Sequence, residues 1–280
     1  MDNFQFDQAE GLRRMLAGSR PRIFTFLSAT HSDEKSTVLV NLGASLANAG
    51  RTALLLDASM SARGIAERLE VAPEATLLQV ARGEKRMDDA VLAMPQGFGL
   101  AVLTGTAFCQ ALHRPNQAKL LAGMFDVLAQ QADVLMIDAE LDDDDSLPLP
   151  VLDDSEIVVQ VSDDSTSIKS AYSIIKRLNG KLGRRPFSIL VEGATEQRAQ
   201  VVYQNMAKAA SRYLAVPLNS LGFVPRDEHV VRATRLGRAV IDAFPLAGAS
   251  VAFRRLAERF IQTESYADLG TTVRGSSMLA

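Results

Sequence analysis

The stretch RIFTFLSATHSDEKSTVLVNLGASLANAG, residues 22–50, decides the fold. Its opening, RIFTFLS, is an apolar run of strand length with aromatic and β-branched residues. From Lys35 to Asn48 the pattern becomes helical, and Gly50 stops it. A strand, a loop, Lys-Ser and a helix is the layout of a phosphate-binding loop. In a working loop, glycines adopt φ > 0 so that successive backbone N–H groups converge on the phosphates. The helix N-terminus and a lysine add positive charge, and the Ser/Thr hydroxyl holds Mg²⁺. Here the tip reads His31-Ser32-Asp33-Glu34-Lys35-Ser36, with no glycine between Ala29 and Lys35. Two carboxylates stand where phosphates would sit. A carboxylate about 4 Å from a phosphate charge costs about 1 kcal/mol in bulk water and about 4 kcal/mol at an effective dielectric of about 20. The same acids can cap the helix N-terminus in place of an anion. The loop is therefore a working site, a self-capped loop that takes no nucleotide, or an ordinary strand–helix turn. We adopt the self-capped reading, which expects Lys35→Ala to leave function unchanged.

Outward from this stretch the chain alternates. Strands are expected at TALLLD (52–57), GLAVLTG (99–105), DVLMID (133–138), EIVVQVS (156–162), FSILVEG (187–193) and NSLGFVP (219–225). Helices are expected near 61–69, 75–82, 115–131, 165–180, 196–214, 227–236 and 248–262. Apolar strands without alternation, separated by helices, imply a doubly wound, mostly parallel α/β sheet with helices on both faces. Residues 21–262 read as one domain. Residues 7–17, DQAEGLRRMLA, read as a short helix, capped by Asp7 with Glu10 in capping-box spacing; a linker follows to residue 20. Residues 263–280, small and polar, are expected to form a flexible tail.

Composition narrows the options. Of 280 residues 47% are apolar, and the formal charge is −3. Bulk charge therefore gives no pull toward nucleic acid or an anionic membrane. The single cysteine, Cys109, excludes an internal disulfide. No basic, apolar leader opens the chain and no apolar run is long enough to span a bilayer, so a cytoplasmic protein is expected. His31, His113 and His229 lack ligand spacing among themselves or with Cys109. The run Asp142–Asp145 and the cluster Lys176, Arg177, Lys181, Arg184, Arg185 read first as solvated charge. Docking of an acidic partner is the alternative for the basic cluster.

The loop resembles the deviant Walker A pattern G-K-G-G-V-G-K-T-T of MinD/ParA proteins. Lys35-Ser36-Thr37 and Asn41-Leu42 fit that pattern in register. Thr30 stands where relatives have a lysine that reaches across an ATP-bound dimer, and His31, Ser32 and Glu34 stand where they have glycines. Strand-end Asp57-Ala58-Ser59 is similar to the family's D-A-D, with Ser59 in place of the water-activating acid. Asp138-Ala139-Glu140 resembles the switch-II strand end. Asp227 and Glu192 match positions that line the base pocket.

The N-terminal DQAEGLRRML narrows the resemblance to the FlhG/FleN flagellar-number regulators. STSIKSAYSIIKRL (165–178), the block 204–245 and ASVAFRRLAERF (249–260) resemble the same family. The resemblance implies regulation of flagellar number or placement by protein binding. Asp7, Gln8, Ala9, Leu12 and Arg13 would stimulate the SRP-type GTPase FlhF, and flagellar C-ring proteins or a transcription activator are further partners it implies. It also implies ATP and Mg²⁺. Lys35, Ser36, Thr37, Asp57, Asp138 and Asp227 would hold the nucleotide, with Ser36, Asp57 and Asp138 around the metal. The altered loop argues instead for a degenerate ATPase with neither cofactor and no confident catalytic residue. An active ATPase switch is the alternative. Direct nucleic-acid binding is not expected, and membrane contact would be weak or indirect, through recruitment to the pole or membrane by partners.

Overall fold

The computed structural model describes residues 21–30, 32–59, 64–103, 114–142 and 144–272. The expected helix at 7–17, with Asp7, Gln8, Ala9, Leu12 and Arg13, lies outside these residues, as do His31, Cys109 and His113.

Eight strands form one sheet: β1 (Arg22–Ser28), β2 (Ala53–Ala58), β3 (Val91–Ala93), β4 (Gly99–Val102), β5 (Val134–Ala139), β6 (Glu156–Ser162), β7 (Phe187–Glu192) and β8 (Leu218–Val224). The order across the sheet is β3-β4-β2-β5-β1-β6-β7-β8. All neighbours run parallel except the β3–β4 pair. The longer helices are α1 (Ser32–Asn48), α4 (Pro115–Ala129), α5 (Ser165–Leu182), α6 (Glu196–Leu214) and α9 (Gly248–Thr272). Four shorter ones are α2 (Ile65–Arg68), α3 (Leu77–Ala81), α7 (Glu228–Arg235) and α8 (Val240–Ala243).

Strand alternation sorts the core into two layers. On one face Leu135, Ile137, Val159 and Val161 meet Phe125, Ile175 and Met206 from α4, α5 and α6. On the other, Phe24, Phe26, Met136 and Val158 meet Leu39 and Leu42 of α1 and Phe253 and Leu256 of α9. Phe260 docks α9 onto β1, with its ring centroid 4.3 Å from that of Phe24. Each fully buried Phe or Leu contributes about 1.5–3 kcal/mol.

Several boundaries differ from expectation. The edge strand β3 and the single-turn α8 were not expected: each is too short to show a period. The helix α1 begins at Ser32, three residues before Lys35. Helix α9 runs to Thr272, ten residues past the expected end at 262, so the first part of the expected tail is helical. Nothing in QTESYADLGTT is a proline, and small polar residues lower helix propensity without ending a helix.

β1 sits between β5 and β6, with the β1–β2 connection crossing one way and β5–β6 the other. Open α/β sheets bind ligands in the crevice outside the strand C-termini at such a reversal.

Candidate functional site

Lys35 lies in the first turns of α1 and points back across the sheet end. It is buried, 3% exposed. Its Nζ lies 2.6 Å from Asp138 Oδ1 and donates to the Ala139 carbonyl at 2.6 Å. Ser36 Oγ donates to the other Asp138 oxygen at 3.1 Å. The parallel β2–β5 register sets Asp57 beside Asp138. Asp57 accepts from the backbone of Ser59 at 3.2 Å and of Ala66 at 2.9 Å. Burial pushes Asp57 up to about 6, with the charge of Asp138 adding to it and the Ala66 and Ser59 amides and Lys35 opposing. Ser59 Oγ donates to Glu140 at 3.1 Å. Lys35, Ser36, Asp57 and Asp138 therefore converge. Among the described residues no group of three or more His, Cys, Asp or Glu is arranged to hold a metal ion.

To the β6 side of β1 opens a cavity of about 630 Å³. Its walls include Thr30, Glu34 and Thr37 at the start of α1, Glu192 at the end of β7, and Asp227 beyond β8. Lys35 is not among the residues lining this cavity; it borders a smaller one of about 280 Å³ with Thr30, Glu140 and Arg177. Thr30 itself is tied down, its N–H donating to Ser28 Oγ at 3.0 Å. Asp227 caps α7: its Oδ1 accepts from His229 N at 2.9 Å, and Oδ2 accepts from Ala249 N at 2.9 Å. Burial would raise Asp227, but these two amides and the His229 ring together hold it below the usual carboxylate range. Asp227 thus staples α7 to the start of α9. Asn41 is a second staple: its Oδ1 accepts from Val240 N at 2.7 Å and its Nδ2 donates to Thr37 O at 2.8 Å.

Three residues that sequence reasoning did not single out shape the site. Gly64 packs so closely on Asp57 that a Cβ there would fall 2.2 Å from Oδ2. Arg68 and Gln160 border or underlie the cavity. Gln160 carried a signal, being a polar residue inside an otherwise apolar strand; Gly64 and Arg68 carried none. The charged surface clusters find each other. Arg177 pairs with Asp145 at 2.6 Å and Lys181 donates to Asp144 O at 3.2 Å. Arg185 bonds the Asp153 and Ser155 carbonyls. Among the described residues no helix is long and apolar enough to cross a membrane.

This sheet order and crevice define a fold shared with MinD/ParA-type P-loop proteins. The Pyrococcus furiosus cell division ATPase MinD superposes with a TM-score of 0.64 at 20% identity, covering 86% of this chain and 98% of that one. The Aquifex aeolicus MinC:MinD complex gives 0.65 at 18% identity, covering 86% and 96%. A Pyrococcus horikoshii MinD solved with Mg-ADP gives 0.61 at 19% identity, covering 85% and 95%. No family model matches the chain. In sequence, a septum site-determining MinD of Oltmannsiellopsis viridis is 26% identical over 91% of this chain and 80% of its own. The antiactivator FleN of Pseudomonas aeruginosa is 33% identical over 227 residues, 80% of this chain and 81% of its own. The chain belongs to the FlhG/FleN family of MinD/ParA-type proteins.

Proposed function

We propose that this protein regulates flagellar number or placement by binding other proteins, and that its nucleotide switch has lost efficient ATP hydrolysis. The flagellar part rests on the similarity to FleN. An antiactivator restrains an activator, so a transcription activator is one partner this reading provides for. Flagellar C-ring proteins and the GTPase FlhF are others. Asp7, Gln8, Ala9, Leu12 and Arg13 would stimulate FlhF, with Gln8 and Arg13 entering its nucleotide site and Leu12 and Leu16 anchoring the segment in a groove.

The loss of hydrolysis rests on one observation above all: Lys35 is buried in an ion pair with Asp138 and is not among the residues lining the larger cavity. A phosphate chain would have to break that pair. It would also have to lie against Glu34, whose exposed side chain borders the cavity. Glycine-free backbone at residues 29–35 offers no ready φ > 0 for a ring of N–H donors. Ser59 stands where hydrolysis would use an acid, and its hydroxyl is engaged with Glu140. On this reading the residues do not fit a nucleotide.

The alternative, an active ATPase, draws on the Ser36–Asp138 contact, which keeps a hydroxyl and a carboxylate together as Mg²⁺ binding requires. A phosphate-release assay separates the two. The binding-regulator reading expects no turnover above background with Mg²⁺-ATP, with or without vesicles. Turnover abolished by Asp138→Asn would contradict it.

A further inference from the structure

The turn that joins α8 to α9 is gripped by three arginines that no carboxylate pairs with. Its inner side is fixed by buried Ser250, whose Oγ donates to Val240 O at 3.1 Å and to Phe244 O at 2.7 Å. On its outer side Arg238 donates to Asp242 O at 3.1 Å, and Arg254 donates to Pro245 O at 2.8 Å. Arg232 of α7 lies over the Phe244 ring, 5.1 Å from its centroid, and His229 packs on the same ring at 4.8 Å. All three guanidinium groups are thus held in place by neutral partners, and none makes an ion pair among the described residues.

The acids nearby do not answer this charge. Asp242 accepts from Asn48 Nδ2 at 3.0 Å, and Asp227 holds α7 and α9. Glu228 and Glu258 stand one helical turn from Arg232 and Arg254 and make no ion pair with them. Residues 226–255 hold six arginines against three acids, in a chain whose formal charge is −3. Two large apolar side chains accompany the arginines. Leu246, next to Pro245, is 92% exposed, and Leu236, four residues after Arg232 and so on its side of the helix, is 61% exposed. A lone exposed leucine is ordinary; here each one accompanies a fixed guanidinium.

We infer that this surface docks an acidic segment of another protein, with carboxylates spaced by apolar side chains. A guanidinium has five N–H donors in a planar fork, so the ones spent on Asp242 O and Pro245 O leave a pair for a bidentate carboxylate. Arginine and large apolar anchors are what carry protein interfaces, and anchors already held in place lose little freedom on binding. A lipid surface takes a broad apolar face, and two leucines do not make one. Single-stranded nucleic acid needs open aromatic rings to stack on, and Phe244 is covered by Arg232 and His229. A second copy would bring the acids Asp144 and Asp145, which Lys181 and Arg177 already engage. The inference deepens the reading of the protein as a binding regulator and does not depend on the state of the nucleotide cleft.

The test is fluorescence anisotropy of the full chain with a labelled peptide in which Glu-Asp pairs alternate with leucine, beside its Gln-Asn counterpart and polyglutamate. Saturable binding of the acidic leucine peptide is expected, weaker for the other two and falling as salt is raised. Arg232→Gln combined with Arg238→Gln should weaken it by about tenfold, and Leu246→Ser, at an exposed position that folding does not need, by a few-fold. No saturation, equal binding of the Gln-Asn peptide, or undiminished affinity in variants that melt normally would overturn the surface. Tighter binding of single-stranded DNA or of phosphatidylglycerol vesicles than of the peptide would overturn it as well, and so would a dimer in sedimentation that Leu246→Asp dissociates. Failure of the peptide removes this surface alone; the reading of lost hydrolysis stands or falls by phosphate release, in which these residues have no part.

Discussion

Lys35 of α1 and Asp138 of β5 form a buried ion pair. Both are almost fully buried, so each charge depends on the other. Removing one partner of a buried pair costs about 3–5 kcal/mol, whereas replacing both by apolar residues is often neutral. Thermal or urea denaturation should therefore show Lys35→Ala strongly destabilised and Lys35→Met with Asp138→Leu recovering most of the loss. Equal stability of Lys35→Ala and the parent would refute the pair's structural role. It follows that the expected functional silence of Lys35→Ala is best judged in the double variant. Glu192 gives a pH signature. Burial, reinforced by the charge of Glu34, raises its pKa, so the folded state binds the proton more tightly than the unfolded one. The stability this contributes is complete below about 4.5, the unfolded value, and is lost as pH rises through about 7. Glu192→Gln should thus be more stable than the parent at pH 8, by about 1–3 kcal/mol, with the gap closing toward pH 5. Parallel stability curves would show that Glu192 is not buried as described. At this scale the motif made Lys35, Ser36 and Asp138 legible, because their chemistry is fixed by spacing along one strand–loop–helix unit and one strand end. The direction in which Lys35 points was not legible, since it depends on β5 lying beside β1.

Among the elements, the β2–α2 connection is pinned at its end by a single carboxylate. Asp57 accepts the Ala66 amide, and Gly64 approaches so closely that any side chain collides with that carboxylate. Gly64→Ala is expected to cost about 1–3 kcal/mol by displacing Asp57 from its donors, read as a lowered melting temperature. An unchanged melting temperature would mean that the loop is not held this way. The long strands were legible because parallel strands covered on both faces are unbroken apolar runs. β3, three residues long and antiparallel, exists only because β4 offers it an edge, and no local pattern announces that. Helix α9 outlasted its apolar stripe because its first turns, anchored by Phe253, Leu256 and Phe260, carry the rest. The N-terminal segment is a separable element in this account. Deleting residues 1–18 should leave the domain folded by circular dichroism while abolishing stimulation of FlhF GTP hydrolysis. Undiminished stimulation by the truncated protein would rule out the segment as the activator.

At the scale of the molecule, the crevice between β1 and the β6–β8 half is lined by carboxylates as well as by Arg68, Arg226 and Arg235. A phosphate site needs converging donors; this one presents Glu34 and Glu192, and its lysine is engaged elsewhere. A MinD/ParA fold that no longer answers to ATP would act by its surfaces alone, with its partners controlled by abundance or by what fills the cleft. The most direct measurement is isothermal titration calorimetry of the full chain with Mg²⁺-ATP, at protein concentrations that detect micromolar binding. No saturable heat is expected up to millimolar ATP. A saturable isotherm, lost in a folded Lys35→Met, Asp138→Leu protein, would contradict it and show that the acidic loop rearranges around phosphate.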